Sequence, residues 1–229
     1  LSYSSKIKGN CRNTSILKAK FNYEEIIFQK FFSPKQCVTD GGSFGIKGYW
    51  NTGGRIVNKD QNEIYFTHGT YGNELLAQDE KTVFGKVIEI NKDDKSYNLV
   101  SIGHRNIQGL TKDGDYLIHS EHGPSGGDEV NVNFTQSKSK KNYGWPISSY
   151  GEHVGWGGDE KIREKFYKLA PLHKSHEKYG FIEPKKTCVP SCAASQIVKL
   201  PKDFLINNDN NIIAMGTLGG KSIYFFEFD

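Results

Sequence analysis

"NKDQNEIYFTHG" (Asn58–Gly69) decides how this chain is to be read. A polar turn runs into an aromatic-bearing, strand-like stretch, and a glycine ends it. The same plan returns at "TKDGDYLIHSEHG" (111–123) and at "NNDNNIIAMGTLGG" (207–220). Three repeats of turn, strand and glycine exit predict a radially repeated sheet, as in the blades of a β-propeller. A closed sandwich is the rival all-β arrangement.

The remaining sequence agrees with an all-β reading. Short runs rich in branched and aromatic residues recur, among them "EEIIFQKFF" (24–32), "VFGKVIEIN" (83–91) and "SIYFFEFD" (222–229). With 25 glycines against 7 prolines over 229 residues, turns are frequent. Residues 1–229 are expected to form a single propeller domain. The one good helical stretch, "GDEKIREKFYKLA" (158–170), reads as an insertion on one face. "GHRNIQGL" (103–110) reads as a polar turn joining two strands.

Composition limits the function classes. The net charge of +4 is weak, and "KSKK" (138–141) reads as a solvated loop rather than a nucleic-acid patch. No run approaches membrane-span length. The chain begins at Leu1, consistent with a mature form or a fragment. Four cysteines leave two options open, disulfides in an oxidising compartment or buried thiols. "CVPSC" (188–192) lacks zinc-site spacing and has no neighbouring histidine.

Some apparent motifs are discounted. "GGKS" (219–222) is like a phosphate loop, but Met215 stands where that loop needs glycine, and a strand follows. His119 and His122 are three apart in a strand-like run, which turns their rings to opposite faces. "SEHGPSGGDEVNV" (120–132) carries more chemistry. Gly123 and Pro124 can leave their carbonyls free, and Asp128 and Glu129 follow at once, a donor mixture that suits hard cations such as Ca²⁺. "NYGWP" (142–146) is a compact aromatic turn.

In that order, "GHRNIQGL", "SEHGPSGGDEVNV" and "NYGWP" closely resemble the soluble sugar dehydrogenases that use pyrroloquinoline quinone (PQQ), and the nearest branch is the aldose sugar dehydrogenases, or glucose/sorbosone dehydrogenase family. "NTGGRIVNKDQNEIYFTHGTYG" (51–72) and "NIIAMGTLGGKSIYFF" (211–226) fit less sharply. The resemblance implies a six-bladed propeller, of which this chain covers part or forms a shortened version. An incomplete propeller leaves sheet edges that another copy of the chain could cover.

The resemblance also implies a reaction: PQQ- and Ca²⁺-dependent oxidation of an aldose sugar, with electrons passed to an acceptor. It places the catalytic Ca²⁺ on the carbonyls of Gly123 and Pro124. Arg105 and Asn106 fall at cofactor-contacting positions, and Asp128 matches a carboxylate near the cofactor. Gln108 either lines the same funnel or holds the turn. Glu129, with the Tyr143 carbonyl, resembles a second, structural calcium site. Family members are exported, so a periplasmic or secreted location is expected.

Four positions depart from the family pattern. Asn51 stands where the catalytic histidine belongs, and an amide cannot act as a general base. Gly69-Thr70 replaces a Gly-Asp pair. The cofactor lysine falls on Gly219, with Lys221 two positions on, and an aromatic position falls near Lys185. His68 and His104 are candidates for a displaced base, although family members also carry the histidine at 104. Two functions therefore remain open: a quinone-dependent oxidoreductase, and a non-catalytic propeller that binds a sugar, a metal or a protein partner.

Overall fold

Strand alternation sends neighbouring side chains to opposite sides of a sheet, so each internal sheet here has two faces to bury. A computed structural model describes residues 1–39, 49–137, 139–153, 160–201, 203–204 and 211–228. Its strands form four sheets in succession. The first holds β1 (Ser2–Lys8), β2 (Cys11–Lys18) and β3 (Gln29–Phe32). The second holds β4 (Gly53–Asn58), β5 (Glu63–His68), β6 (Lys86–Asn91) and β7 (Tyr97–Ile102). The third holds β8 (Ile107–Asp113), β9 (Tyr116–Glu121) and β10 (Asp128–Phe134). Two short strands extend these sheets. β11 (Lys141–Asn142) lies parallel to β7, and β12 (Lys186–Cys188) pairs with β10. The fourth sheet holds β13 (Ala194–Lys199), β14 (Asn211–Thr217) and β15 (Ser222–Phe228).

These are blades of a β-propeller. The leading strands β4 and β13 both pack against β8, so successive sheets meet along one inner line. Hydrophobic layers fill the spaces between sheets. Ile64, Phe66 and Ile88 pack towards Ile16 and Phe32 of the first sheet. Tyr65, on the other face of β5, meets Ile107 and Leu117 of the third sheet. Ile118, beside Leu117 but facing the opposite way, joins Ile197 and Met215 of the fourth. One strand thus serves two layers, which is why the repeated "turn, strand, glycine" unit carries apolar residues at both parities.

Several sequence expectations need adjustment. "GHRNIQGL" is only half a turn: Gly103–Asn106 cross between sheets, and Ile107 onwards belongs to β8. "EEIIFQKFF" pairs in the first sheet only from Gln29, because the Asn22 side chain accepts hydrogen bonds from the backbone N–H groups of Glu24 and Glu25 and turns the chain there. The helix α1 spans Glu160–Leu169 and buries Phe166, while residues 158–159 lie outside the described residues. So do Lys138 of "KSKK" and the turn residues 207–210 of the third repeat. No helix among the described residues is long and apolar enough to cross a membrane. The last strand leaves Ile223 and Phe225 exposed.

All four cysteines are paired, Cys11 with Cys37 and Cys188 with Cys192, which settles the question left open above. The first bond spans 26 residues. Closing a loop of that size restricts the unfolded chain by about 3 kcal/mol of free energy. Replacing Cys11 and Cys37 together by alanine is expected to lower stability by about that amount. Urea unfolding would show it as a lower midpoint; an unchanged midpoint would mean that the bond does not stabilise the fold.

Candidate functional site

The crossover from β7 to β8 carries His104, Arg105 and Asn106, and each of its residues is fixed from a different direction. His104 is fully buried, with Nε2 2.7 Å from Ser101 Oγ and Nδ1 3.0 Å from Glu121 Oε1. The Arg105 N–H donates to Glu121 Oε2 at 2.9 Å, and its carbonyl accepts from Thr70 N–H. Asn106 Oδ1 accepts from Gly53 N–H at 3.2 Å and from Gln108 Nε2 at 2.9 Å. Gln108 thus helps to hold Asn106 in place.

The Arg105 side chain is nearly sealed. Its guanidinium lies over the Trp145 ring, 5.4 Å from the centroid, and donates to the His122 carbonyl at 3.3 Å. Its Nε is buried with no hydrogen-bond partner. Burial presses its pKa down, while Glu74, Asp128 and Glu121 oppose that shift. Arginine stays charged under such pressure.

Asn51 sits two residues before β4 with φ 61°, a left-handed conformation that asparagine and histidine tolerate better than most residues. Gly69 passes directly beneath it. A Cβ there would lie 1.9 Å from the Asn51 carbonyl oxygen, so only glycine fits. The Asn51 amide donates to Glu74 Oε1 at 3.3 Å. Thr70 Oγ1 and Trp145 Nε1 both donate to Glu74 Oε2, each at 2.7 Å. Glu74 is thus a buried carboxylate joining Asn51, the Gly69–Thr70 turn and the "NYGWP" turn. Sequence reasoning missed it, because a lone glutamate in "YGNELLAQ" carries no pattern.

The "HGPSGGDE" loop coils tightly. A Cβ on Gly123 would meet the Gly126 and Gly127 carbonyls at 2.2 and 2.3 Å. Asp128 pins the coil. Its Oδ1 accepts from Gly123 N–H at 3.1 Å, and Oδ2 accepts from Ser191 Oγ at 2.7 Å. Neither the Gly123 nor the Pro124 carbonyl accepts a hydrogen bond from the described backbone. His176 stands between Glu129 and the Tyr143 carbonyl. Its Nδ1 donates to the Tyr143 carbonyl at 3.0 Å, and its Nε2 lies 3.3 Å from Glu129 Oε1.

These pieces converge. Arg105, Gly123, Glu129, Tyr143 and Trp145 line one small cavity, together with Glu121. Asp128, Asn106, Gln108 and Asn51 are tied to its surroundings by the hydrogen bonds described above, and Pro124 follows Gly123 in the chain. Lys221 is exposed in the turn before β15, and Gly219 lies against Cys192. Neither candidate for a displaced base is free. His104 is saturated by Ser101 and Glu121. His68 is buried, with Nε2 accepting from Thr14 N–H at 3.0 Å and Nδ1 3.1 Å from the Gly69 carbonyl.

Comparison with known proteins follows from this geometry. The sequence profile of the family described as Glucose / Sorbosone dehydrogenase matches residues 1–229. The aldose sugar dehydrogenase YliI of Escherichia coli (strain K12) is 31% identical over 139 residues, covering 54% of this chain and 34% of that protein. The crystal structure of the soluble aldose sugar dehydrogenase from Escherichia coli, in its apo-form, superposes with a TM-score of 0.74 at 20% identity. That match covers 98% of this chain and 63% of the other. The PQQ-bound form of an aldose sugar dehydrogenase from Streptomyces coelicolor gives a TM-score of 0.60 at 23% identity, covering 95% of this chain and 56% of the other. The chain therefore spans about a third of the curated relative's length.

His68 generates a pH prediction. Burial lowers its pKa from 6.5 to about 4, so the folded chain keeps it neutral. Between those values the unfolded chain binds a proton that the folded chain refuses. The stabilising contribution is complete above pH 6.5 and is lost as the pH falls towards 4, by up to about 3 kcal/mol. His68→Asn keeps an acceptor for Thr14 N–H and should flatten stability against pH across that window. Unfolding midpoints measured at several pH values would expose an unaltered slope and refute the assignment.

Proposed function

The chain belongs to the glucose/sorbosone dehydrogenase family, and from that premise we propose that it carries the cofactor-facing part of a PQQ- and Ca²⁺-dependent site that oxidises aldose sugars. The observation that carries this reading is Arg105, a half-buried cation whose buried Nε has no hydrogen-bond partner, at the edge of the convergent cavity. An anionic oxygen of a planar guest would satisfy that donor; the enclosed space there is only about 10 Å³, room for about one water, so the guest's ring system would lie outside it unless the lining side chains open. PQQ, when bound, accepts the hydride equivalent from the sugar and passes electrons to an acceptor.

The chain's own residues support this chemistry in stages. The free carbonyls of Gly123 and Pro124 fit Ca²⁺, which favours uncharged and carboxylate oxygens. Asp128 holds that coil in shape through Gly123 N–H, and it adds negative charge beside Arg105. Asn106 and Gln108 orient the crossover from which Arg105 projects. A second calcium at Glu129 and Tyr143 fits less well, because the His176 ring lies between the two oxygens, donating to one and 3.3 Å from the other. We therefore keep the cation for Gly123 and Pro124. The paired cysteines suit an oxidising compartment such as the periplasm.

Asn51 favours a second reading, a propeller that binds without turnover. No group described at that position can take the sugar hydroxyl proton: Asn51 is an amide, while His68 and His104 are saturated. Glu74 nevertheless remains behind Asn51, 3.3 Å from its amide, in position to orient an imidazole.

Two measurements separate these readings. Arg105→Ala should weaken quinone binding by roughly 2–3 kcal/mol, as expected for losing a charge-assisted pair; unchanged affinity in a titration would remove Arg105 from the site. Asn51→His should raise aldose-dependent dye reduction by roughly a hundredfold where the missing base limits the rate. Adding Glu74→Gln should cancel most of that gain. Quinone binding with no gain in Asn51→His would leave the binding-only propeller as the function.

A further inference from the structure

The interface between the second and third sheets holds an unusual polar layer. On β9, His119 and Glu121 follow Leu117 at strand spacing and turn towards the same side. In register across the sheet, His119 faces Asn131 and Glu121 faces Glu129. Above them sits His104, from the inter-sheet crossover. His104, His119 and Asn131 have no solvent exposure.

His119 is the anomaly in this layer. Both its ring nitrogens are buried without a hydrogen-bond partner, and so is Asn131 Oδ1. Leaving a buried polar atom unpaired costs about 1–3 kcal/mol, so such groups usually answer to something else. His119 Nδ1 lies 3.9 Å from Glu121 Oε1, and His104 Nδ1 lies 3.0 Å from the same oxygen. One donor atom from each of these three residues falls within 4.8 Å of the others.

We propose that His104, His119 and Glu121 form a buried site for a divalent transition-metal ion of the zinc class. Two imidazoles and one carboxylate are the donor set such ions prefer, whereas Ca²⁺ takes oxygens. Tetrahedral coordination with bonds of about 2.0–2.1 Å places donors roughly 3.4 Å apart. The two distances to Glu121, 3.0 and 3.9 Å, bracket that value, and with all three donors within 4.8 Å of one another the histidine rings need to draw together to close on an ion.

The atoms behind the ligands are arranged as such a site requires. Ser101 Oγ sits 2.7 Å from His104 Nε2, ready to accept its proton when the ring adopts the tautomer that frees Nδ1 for the metal. Arg105 N–H holds the second oxygen of Glu121 at 2.9 Å. The Tyr143 ring packs against both imidazoles, at 4.7 and 5.0 Å between centroids, and keeps the space dry. Burial also holds His119 neutral, with its pKa lowered to about 3, which leaves its lone pair available.

This site is separate from the Gly123–Pro124 carbonyls, and its test does not depend on quinone. The chain should be refolded with Co²⁺, dialysed without quinone, and its metal content and visible spectrum recorded. One retained equivalent with the absorption of tetrahedral cobalt is the expected result, displaceable by Zn²⁺ but not by Ca²⁺. His119→Gln should lower retention at least about tenfold, with far-ultraviolet circular dichroism unchanged. Arg105→Ala preserves the backbone N–H and should retain the ion, so failure of the quinone proposal would leave this result standing. Absence of bound Co²⁺ in the unaltered chain would overturn the site without recourse to any variant. Equal retention in a folded His119→Gln protein would do the same, as would displacement by Ca²⁺.

Discussion

The carboxylate of Glu121 governs the centre of this structure. It is removed from water, and a buried charge is tolerable only when nearly every lone pair is engaged. Here it accepts from His104 Nδ1, Arg105 N–H and Asn131 Nδ2. Its pKa is depressed although burial alone would raise it, because His104 and the other donors outweigh desolvation. The consequence is geometric. The Gly103–Asn106 crossover, which has no ladder of its own, is clamped to β9 and β10. Arg105 then leaves a fixed backbone, so its guanidinium need not be ordered afresh when something binds.

The same reasoning explains how much could be read beforehand. The blades were visible because their signal is local: a polar turn, a strand of alternating burial and a glycine that lets backbones close up, as Gly69 does beneath Asn51. Arg105, Gly123 and Trp145 were visible as an ordered set of motifs, and the structure brings them to one cavity. Glu74 was not visible. Its three partners lie at positions 51, 70 and 145, so its importance comes from closure of the chain rather than from any spacing. His119 failed for a different reason. Spacing along the chain pairs it with His122, three residues on, whose ring instead reaches the Ala194 carbonyl. The relevant neighbour was Glu121, two residues on and on the same face, with His104 arriving from another strand end.

The cation reading divides on similar physical grounds. Gly123 and Pro124 can offer oxygens because the glycine coil is held from behind by Asp128, which frees the carbonyls from structural work. Glu129 and the Tyr143 carbonyl lie at opposite ends of the His176 ring, so they do not form one cluster of oxygens. His176 reaches both with one ring, and Glu129 raises its pKa against the opposing effect of burial.

Asn51 is best understood through what surrounds it. A position that had lost all catalytic constraint would be free to lose its left-handed backbone, the glycine beneath it and the carboxylate behind it. Asn51 has all three: φ 61°, the close approach of Gly69, and the hydrogen bond to Glu74. Glu74 in turn anchors Trp145, whose ring supports Arg105. The carboxylate therefore has a structural reason to remain even without a base to orient. Under the proposed function, that coupling would let a substitution at Asn51 alter proton transfer while Trp145 and Arg105 keep their contacts.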